Sequence, residues 1–397
     1  MTNKIKNQNL QLYLHIPFCV RKCAYCDFLS GPAGAEEIER YVAAMMEEIR
    51  SYRQQYAGYE VSTVFLGGGT PSILTEVQME GVFSALRETF RIHEDAEISI
   101  EMNPGTVTRE KLRCYRKAGI NRLSIGLQSV NNEELKLLGR IHTMEDFLST
   151  YRMAREEKFT NINIDLISAI PGQTTESWLH TLKTVADLEP EHISAYSLIV
   201  EEGTPFFKQY GEKEETSVLQ SSDIPKLPDE EDERIIYKDT EKFLKERKYE
   251  RYEISNYAKP GYECRHNLGY WQRENYLGIG LGAASMIENR RFTHLTDRAK
   301  YVELIEKNQF KQLIEEQENL TLQAQMEEFM FLGLREMKGI SKEKFAEVFG
   351  KQIESVYGEI LRTLRNEHLI VDEKNFIRLT EYGIDISNYV MSQFLIS

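Results

Sequence analysis

Three cysteines crowd one short stretch, Cys19-Val-Arg-Lys-Cys23-Ala-Tyr-Cys26, directly after the apolar run Leu12-Tyr13-Leu14-His15-Ile16-Pro17-Phe18. At this spacing all three thiols sit on one loop, close enough to ligate a single inorganic centre. The rest of the chain must fold so as to hold that loop. Structural zinc usually takes four ligands in paired Cys-x2-4-Cys knuckles, and the remaining cysteines, Cys114 and Cys264, are isolated. A [4Fe-4S] cluster on three thiolates leaves one iron open to a substrate or cofactor. On the residues alone, a zinc knob completed by His15, and thiols that merely pack, both remain open.

Composition narrows the setting. With 397 residues, 41% hydrophobic and 10% aromatic, the chain can build one large domain and a smaller one. The net charge of -14 disfavours nucleic acid as a partner, because phosphate binding needs a basic face. No run of eighteen apolar residues occurs and Met1 to Gln11 is polar, so no integral membrane segment is expected. Five cysteines, three of them on one loop, argue against a disulfide framework and for a reducing, cytoplasmic location.

Along the chain, strand-like and helix-like periods alternate about six times. A helix over Ala35 to Tyr56 precedes the strand Val61 to Leu66 and the turn Gly67-Gly68-Gly69-Thr70-Pro71. Strands at Glu97 to Glu101, Arg122 to Gln128, Ile162 to Ile167 and His192 to Leu198 follow, each separated from the next by helical periods. The solution is a parallel sheet with right-handed crossovers, curled into a partial (β/α)6 barrel. Its site belongs at the C-terminal strand ends, where Glu101, Gln128, Asp165 and Ser197 recur. Glycines after a buried strand let backbone N–H groups approach a ligand. Residues 1–210 are read as the barrel. Residues 211–319 begin with an acidic connecting loop and a helix and close the barrel. Residues 320–397, three helices, a hairpin and a closing helix, read as a small winged-helix-like α+β domain.

The cysteine spacing, with Tyr25 before the last thiol, resembles the radical S-adenosylmethionine (radical SAM) superfamily. Over nearly its whole length the chain resembles the oxygen-independent coproporphyrinogen III oxidase family, and most closely its haem-chaperone branch. The residues that carry this are Tyr13-Leu-His-Ile-Pro-Phe-Cys19, Gly67-Gly-Gly-Thr-Pro-Ser72, Gly126-Leu-Gln-Ser129, Leu138-Gly-Arg-Ile-His142, Pro171-Gly-Gln-Thr174, Tyr276-Leu-Gly-Ile-Gly280 and His266-Asn-Leu-Gly-Tyr-Trp271. The resemblance implies that Cys19, Cys23 and Cys26 hold a [4Fe-4S] cluster. It implies S-adenosylmethionine contacts at Tyr13, Tyr25, Gly68, Gly69, Thr70, Glu101, Gln128, Arg140 and Asp165, with Ile199 and Ala284 matching more loosely.

Two departures separate the chain from the true oxidases, which carry a fourth cysteine where this chain has Phe28, and a longer extension than the eighteen residues before Cys19. The motif His266-Asn-Leu-Gly-Tyr270-Trp271 resembles the haem-binding motif of the chaperone branch. On the residues alone, His266 reads as a hydrogen-bonded structural histidine. The resemblance makes it a candidate axial ligand, with Tyr270 and Trp271 to cover the macrocycle and Cys264 as an alternative ligand. The expectation is a haem carrier that serves acceptor proteins rather than an enzyme, with an electron donor such as flavodoxin or ferredoxin as a candidate partner. The alternative is a coproporphyrinogen III dehydrogenase or another radical SAM enzyme acting on porphyrin.

Overall fold

A computed structural model describes residues 8–211 and 225–395. The acidic connecting loop expected from residue 211 onward lies largely outside the described residues. Strand β1 (Gln8–Ile16) is followed by α1 (Ala35–Ser51), β2 (Tyr59–Gly68), α2 (Glu76–Thr89), β3 (Arg91–Met102), α3 (Arg109–Ala118) and β4 (Arg122–Gln128). Next come α4 (Asn132–Leu137), α5 (Met144–Glu156), β5 (Ile162–Ser168), α6 (Thr175–Ala186), β6 (His192–Ser197), α7 (Pro205–Tyr210) and α8 (Glu230–Glu246). The sheet is completed by β7 (Glu250–Glu253), β8 (Asn256–Ala258), then helix α9 (Arg265–Trp271), β9 (Tyr276–Ile279), β10 (Ala284–Ile287), β11 (Arg290–His294), α10 (Arg298–Glu306) and β12 (Ile314–Asn319). A C-terminal unit holds α11 (Leu322–Gly333), β13 (Ile340–Ser341), α12 (Lys342–Phe349), α13 (Ile353–Asn366), β14 (Ile370–Asp372), β15 (Phe376–Leu379), α14 (Glu381–Asp385) and α15 (Ser387–Ser392).

Strands β1 to β6 lie side by side and parallel, each joined to the next by a helical crossover, as the alternation predicts. Helices cover the outside, so central strands are buried on both faces; every residue of β4 is buried. Threonine N-caps start α2, α3, α5 and α6, fixing the residue at which each of these crossover helices begins. Among the described residues no helix is long and apolar enough to cross a membrane.

The sheet is wider than the expected six strands. Strand β9 pairs parallel with the free edge of β1, and β10, β11 and β12 continue antiparallel, while β8 and β7 extend the β6 side. The motif around Tyr276 is thus a seventh parallel strand. Its glycine has a steric reason: a Cβ on Gly278 would stand 2.3 Å from the Ala284 carbonyl oxygen. The C-terminal unit keeps its own core, with Phe345, Tyr357, Ile377 and Phe394 fully or almost fully buried beside the three-stranded sheet β13-β15-β14.

Two glycine substitutions separate close approach from mere flexibility. Gly278→Ala is expected to lower stability by about 1–3 kcal/mol through overpacking against backbone. Gly358→Ala, inside α13 with nothing within 4 Å of the new methyl, is expected to raise it by roughly 0.5–1 kcal/mol. Urea unfolding midpoints of the two variants check both signs.

Candidate cofactor cavity at the barrel mouth

Beyond β1 the chain makes the cysteine loop and returns to its own start. The Cys19 N–H donates to the Gly31 carbonyl at 3.0 Å and the Gly31 N–H to the Pro17 carbonyl at 3.1 Å. Phe18, fully buried, pins this base. His15 ties the far side of the loop: its Nε2–H donates to the Leu29 carbonyl at 2.9 Å, and its Nδ1 accepts from the Tyr13 hydroxyl at 3.0 Å. Burial lowers the His15 pKa, which keeps the ring neutral and suits this pattern. With both nitrogens engaged, His15 has none for zinc. Three thiols on one loop suit a polynuclear group that takes one thiolate per iron.

The loop leans on two neighbours. The Ala24 N–H donates to the Leu138 carbonyl at 3.0 Å, and a Cβ on Gly139 would stand 3.1 Å from the Ala24 nitrogen. The Thr70 hydroxyl donates to Cys19 Sγ and Arg140 Nη1 to Cys23 Sγ, both at 3.6 Å. Arg140 also donates through Nη2 to Asn103 Oδ1 at 2.6 Å and to the Gly126 carbonyl at 2.7 Å, leaving Nε buried without a partner. These donors aim at sulfurs that would carry negative charge as cluster ligands.

These residues line a cavity of about 380 Å³ at the C-terminal ends of the strands. It brings together Cys19, Cys23, Cys26, Tyr25, Gly68, Gly69, Thr70, Glu101, Gln128, Arg140 and Asp165, with Ser197 and Ile199 at its edge. Ala284 lies on β10 and is not part of the lining. Tyr13 is not part of it either; its ring stacks on Phe65 and its hydroxyl serves His15. Asn103, Ser124 and Tyr196 also line the cavity and are additions to the expected set. Asn103 could have been found from its place in Glu101-Met-Asn-Pro-Gly105, just past a strand end.

The glycine turn also has a packing duty, besides lining the cavity. The Gly68 N–H donates to Glu101 Oε2 at 3.1 Å and the Gly69 N–H to the Ile16 carbonyl at 2.8 Å, so both donors are spent within the protein. Glycine is required here because Cβ atoms would stand 2.5 Å from the His15 ring at Gly68, where φ is +104°, and 2.6 Å from the Phe18 carbonyl oxygen at Gly69. The turn packs under the cysteine loop. Gln128 holds φ at +74°, unusual for a residue with a side chain, at a shift in the β4–β5 register that places it on the cavity wall.

Two carboxyl groups form the floor. Asp165 accepts from the Ser124 hydroxyl at 2.9 Å and from Asn163 Nδ2 at 2.8 Å. Burial, and then the nearby Asp165, push the Glu101 carboxyl up to about 8. Near neutral pH Glu101 is therefore mostly protonated, and can donate as well as accept.

The haem-motif residues stand elsewhere, at the opposite end of the barrel. His266, 1% exposed, binds the Thr63 hydroxyl through Nδ1 at 2.7 Å and the Tyr270 hydroxyl through Nε2 at 3.0 Å, and stacks on Phe65. As seated, both of its ring nitrogens are engaged, so an iron ligated there would have to displace one of these partners. Cys264 is fully buried, its thiol donating to Glu97 Oε1 at 3.6 Å and pushed up to about 12 by burial. Trp271 lies under the Arg335 guanidinium, 4.3 Å from the ring centroid, and faces the C-terminal unit instead of open space. Helix α9 starts without a cap of its own; Glu97 from β3 accepts the Arg265 and His266 N–H groups, each at 3.1 Å. Sequence reading missed Glu97 because it caps a helix 168 residues away.

A three-thiol loop over the mouth of a parallel partial barrel, with a glycine turn beneath it and a carboxyl pair on the floor, is the arrangement of a radical SAM protein. The sequence profile of the radical SAM superfamily matches residues 13–185, and that of the HemN C-terminal domain matches residues 320–386. The chain is 34% identical to the haem chaperone HemW of Bacillus subtilis, over 96% of this chain and 98% of that protein. It is also 34% identical to the haem chaperone HemW of Lactococcus lactis, over 97% of each. The solved structure of the coproporphyrinogen III oxidase HemN from Escherichia coli, a radical SAM enzyme, superposes with a TM-score of 0.83 at 26% identity, covering 98% of this chain and 90% of that one. The chain belongs to the HemW family of the radical SAM superfamily, a membership that implies a [4Fe-4S] cluster and S-adenosylmethionine.

The raised Glu101 pKa has a consequence for stability. An acid whose folded pKa exceeds its unfolded value stabilises fully below the unfolded value, near 4.5, and loses that contribution as pH rises toward about 8. Glu101 alone makes the unfolding free energy fall from pH 5 to pH 8, while the buried His15, His142, His192 and His266, whose pKa values burial lowers, act in the opposite sense below their free value. The stability of the wild type relative to Glu101→Gln is therefore expected to fall across this range. Urea melts across this range test it.

Proposed function

We propose that this protein is a haem chaperone: it binds haem and hands it to acceptor proteins, with a [4Fe-4S] cluster and S-adenosylmethionine held at the barrel mouth. The observation that carries the reading is the correspondence, end to end, with bacterial proteins named haem chaperone HemW. Phe28 adds to it. The oxidases are expected to place a cysteine there, whereas this chain exposes a phenylalanine at the rim of the cavity.

Within this reading Cys19, Cys23 and Cys26 hold the cluster. The Thr70 hydroxyl and Arg140 hold negative charge on the sulfurs. Gln128, Glu101 and Asp165 receive the polar parts of S-adenosylmethionine, with Glu101 able to donate a proton to a hydrogen bond. When bound, the cluster supplies one-electron reduction to a ligand on its open iron. His266 would meet haem iron only after Tyr270 and α9 leave the barrel base, so haem loading on that residue requires an opening there. The compartment is the reducing cytoplasm, and the partners are haem, an acceptor protein and an electron donor.

After anaerobic reconstitution with iron and sulfide, wild type and His266→Ala are titrated with haem, and both are assayed for coproporphyrinogen III turnover. Haem binding without turnover is expected, weakened at least tenfold in the variant. Turnover in a wild type that does not bind haem would replace the chaperone with an oxidase. Equal binding in the two proteins would keep the chaperone and move its haem away from His266.

A further inference from the structure

The segments Gly126-Leu-Gln-Ser129 and Pro171-Gly-Gln-Thr174 lie at the exits of two neighbouring strands, and one side chain ties them together. Glu134 stands on α4 and is 7% exposed. Its Oε2 accepts from the Ser129 hydroxyl at 2.5 Å and from Gln173 Nε2 at 3.0 Å, and its Oε1 accepts from the Ser177 hydroxyl at 3.2 Å. Ser129 and Gln173 are themselves buried, and Ser177 completes the capping box that starts α6. A carboxylate accepts at both oxygens, so it suits three donors that converge on it from separate segments.

The place of this knot bears on the cavity. The β4–β5 ladder slips at Leu127: Gly126 pairs with Asp165 and Gln128 with Leu166, where the ladder ends. Gln128 lines the cavity with φ at +74°, and Ser129 is the next residue. A residue with a side chain keeps such a backbone only where its surroundings fix it. Beyond the last ladder pair, the Glu134 carboxylate continues the connection between the two strand exits. On the β5 side the Gln173 N–H donates to the Ile170 carbonyl at 2.8 Å. Ile170 packs with Ile167 and Leu138 in the apolar group against which Ala24 and Tyr25 of the cysteine loop rest.

We propose that Glu134 is a positioning residue for S-adenosylmethionine: through Ser129 its carboxylate holds Gln128 in place on the cavity wall. Glu134 is not part of the cavity lining, so its effect on the ligand passes through Gln128. The inference rests on the reading of the cavity as the S-adenosylmethionine site, and not on the haem reading.

The test uses the full chain reconstituted with iron and sulfide, as wild type, Glu134→Met, Glu134→Gln, Gln128→Ala and the double variant of Glu134→Met with Gln128→Ala. Anaerobic equilibrium dialysis with labelled S-adenosylmethionine gives the affinities, and the EPR signal of the dithionite-reduced cluster is recorded before and after its addition. Binding about tenfold weaker or more is expected for Glu134→Met, with iron content unchanged. Glu134→Gln should recover most of the affinity and the EPR change, because its amide oxygen still accepts from Ser129 and Gln173 while its nitrogen donates to Ser177. The double variant should bind no more weakly than Gln128→Ala alone. Wild-type affinity in Glu134→Met or in Gln128→Ala overturns the proposal, as do losses that multiply in the double variant, since Glu134 would then act independently of Gln128. Should Glu134→Met fail to take up iron and sulfide, Ser129→Ala, which removes the hydroxyl link to the residue after Gln128, carries the same expectation, and wild-type affinity there overturns the proposal. A wild type that loads its cluster but binds no S-adenosylmethionine overturns the reading of the cavity and this inference with it.

Discussion

The imidazole of His15 binds three parts of the mouth into one body. Its Nε2–H holds the exit of the cysteine loop at Leu29, its Nδ1 takes the Tyr13 hydroxyl within β1, and its ring fills the space that a side chain at Gly68 would need. Loop, strand and glycine turn are therefore placed against each other by contacts that tolerate little displacement. Tyr41 from α1 continues the arrangement, donating to the His15 carbonyl at 2.8 Å and accepting from the Leu281 N–H at 2.9 Å. The strands beyond β9 are tied to the same point. Charged or polar groups inside this assembly are partnered, as in Glu48, which accepts from Tyr52, Tyr301 and the Gly280 N–H.

What the sequence discloses here follows how local each cause is. The parallel core was readable because each strand carries its own apolar run and each crossover helix its own apolar period. The cavity lining was largely readable because parallel topology sends successive strand ends to one face, so Glu101, Gln128 and Asp165 meet without any motif saying so. Long-range causes were not. The three glycines look alike in sequence whether they face a ligand or a neighbouring strand, and only the approach of Phe18 and His15 decides between these. His266 is the sharper case. A histidine followed four residues later by a tyrosine was read as a ligand and its cover, yet helical spacing also lets Tyr270 reach the His266 ring directly, which is what occurs.

The barrel interior is polar over much of its depth, and this links its two ends. From Asp165 on the cavity floor, hydrogen bonds run through Asn163 to His192 Nδ1 at 2.6 Å, from His192 Nε2 to the Tyr252 hydroxyl at 2.8 Å, and on to the Cys264 N–H at 3.2 Å, where α9 begins. Arg122, almost fully buried beside Glu97 and Asp165, balances their charge from within. Buried polar networks of this kind are costly when left incomplete, so a movement of α9 would disturb partners as far as the cavity floor. Asn163 accepts from His192 and donates to Asp165, so the chain of contacts transmits position rather than protons.

The separation of the two ends bears on whether the radical SAM machinery could act on haem at all. His266 meets β2 at Thr63, and the cavity begins at Gly68 of the same strand, a distance of about 16 Å at roughly 3.3 Å per residue. Radical abstraction requires near contact between reacting atoms. Haem held at the barrel base would lie beyond that reach, with Phe65 and Tyr13 stacked in between. An oxidase must place its porphyrinogen in the cavity itself. A carrier has no such need, and can keep its cargo at one end of the barrel while the cofactors at the other set the conformation of the strands that join them.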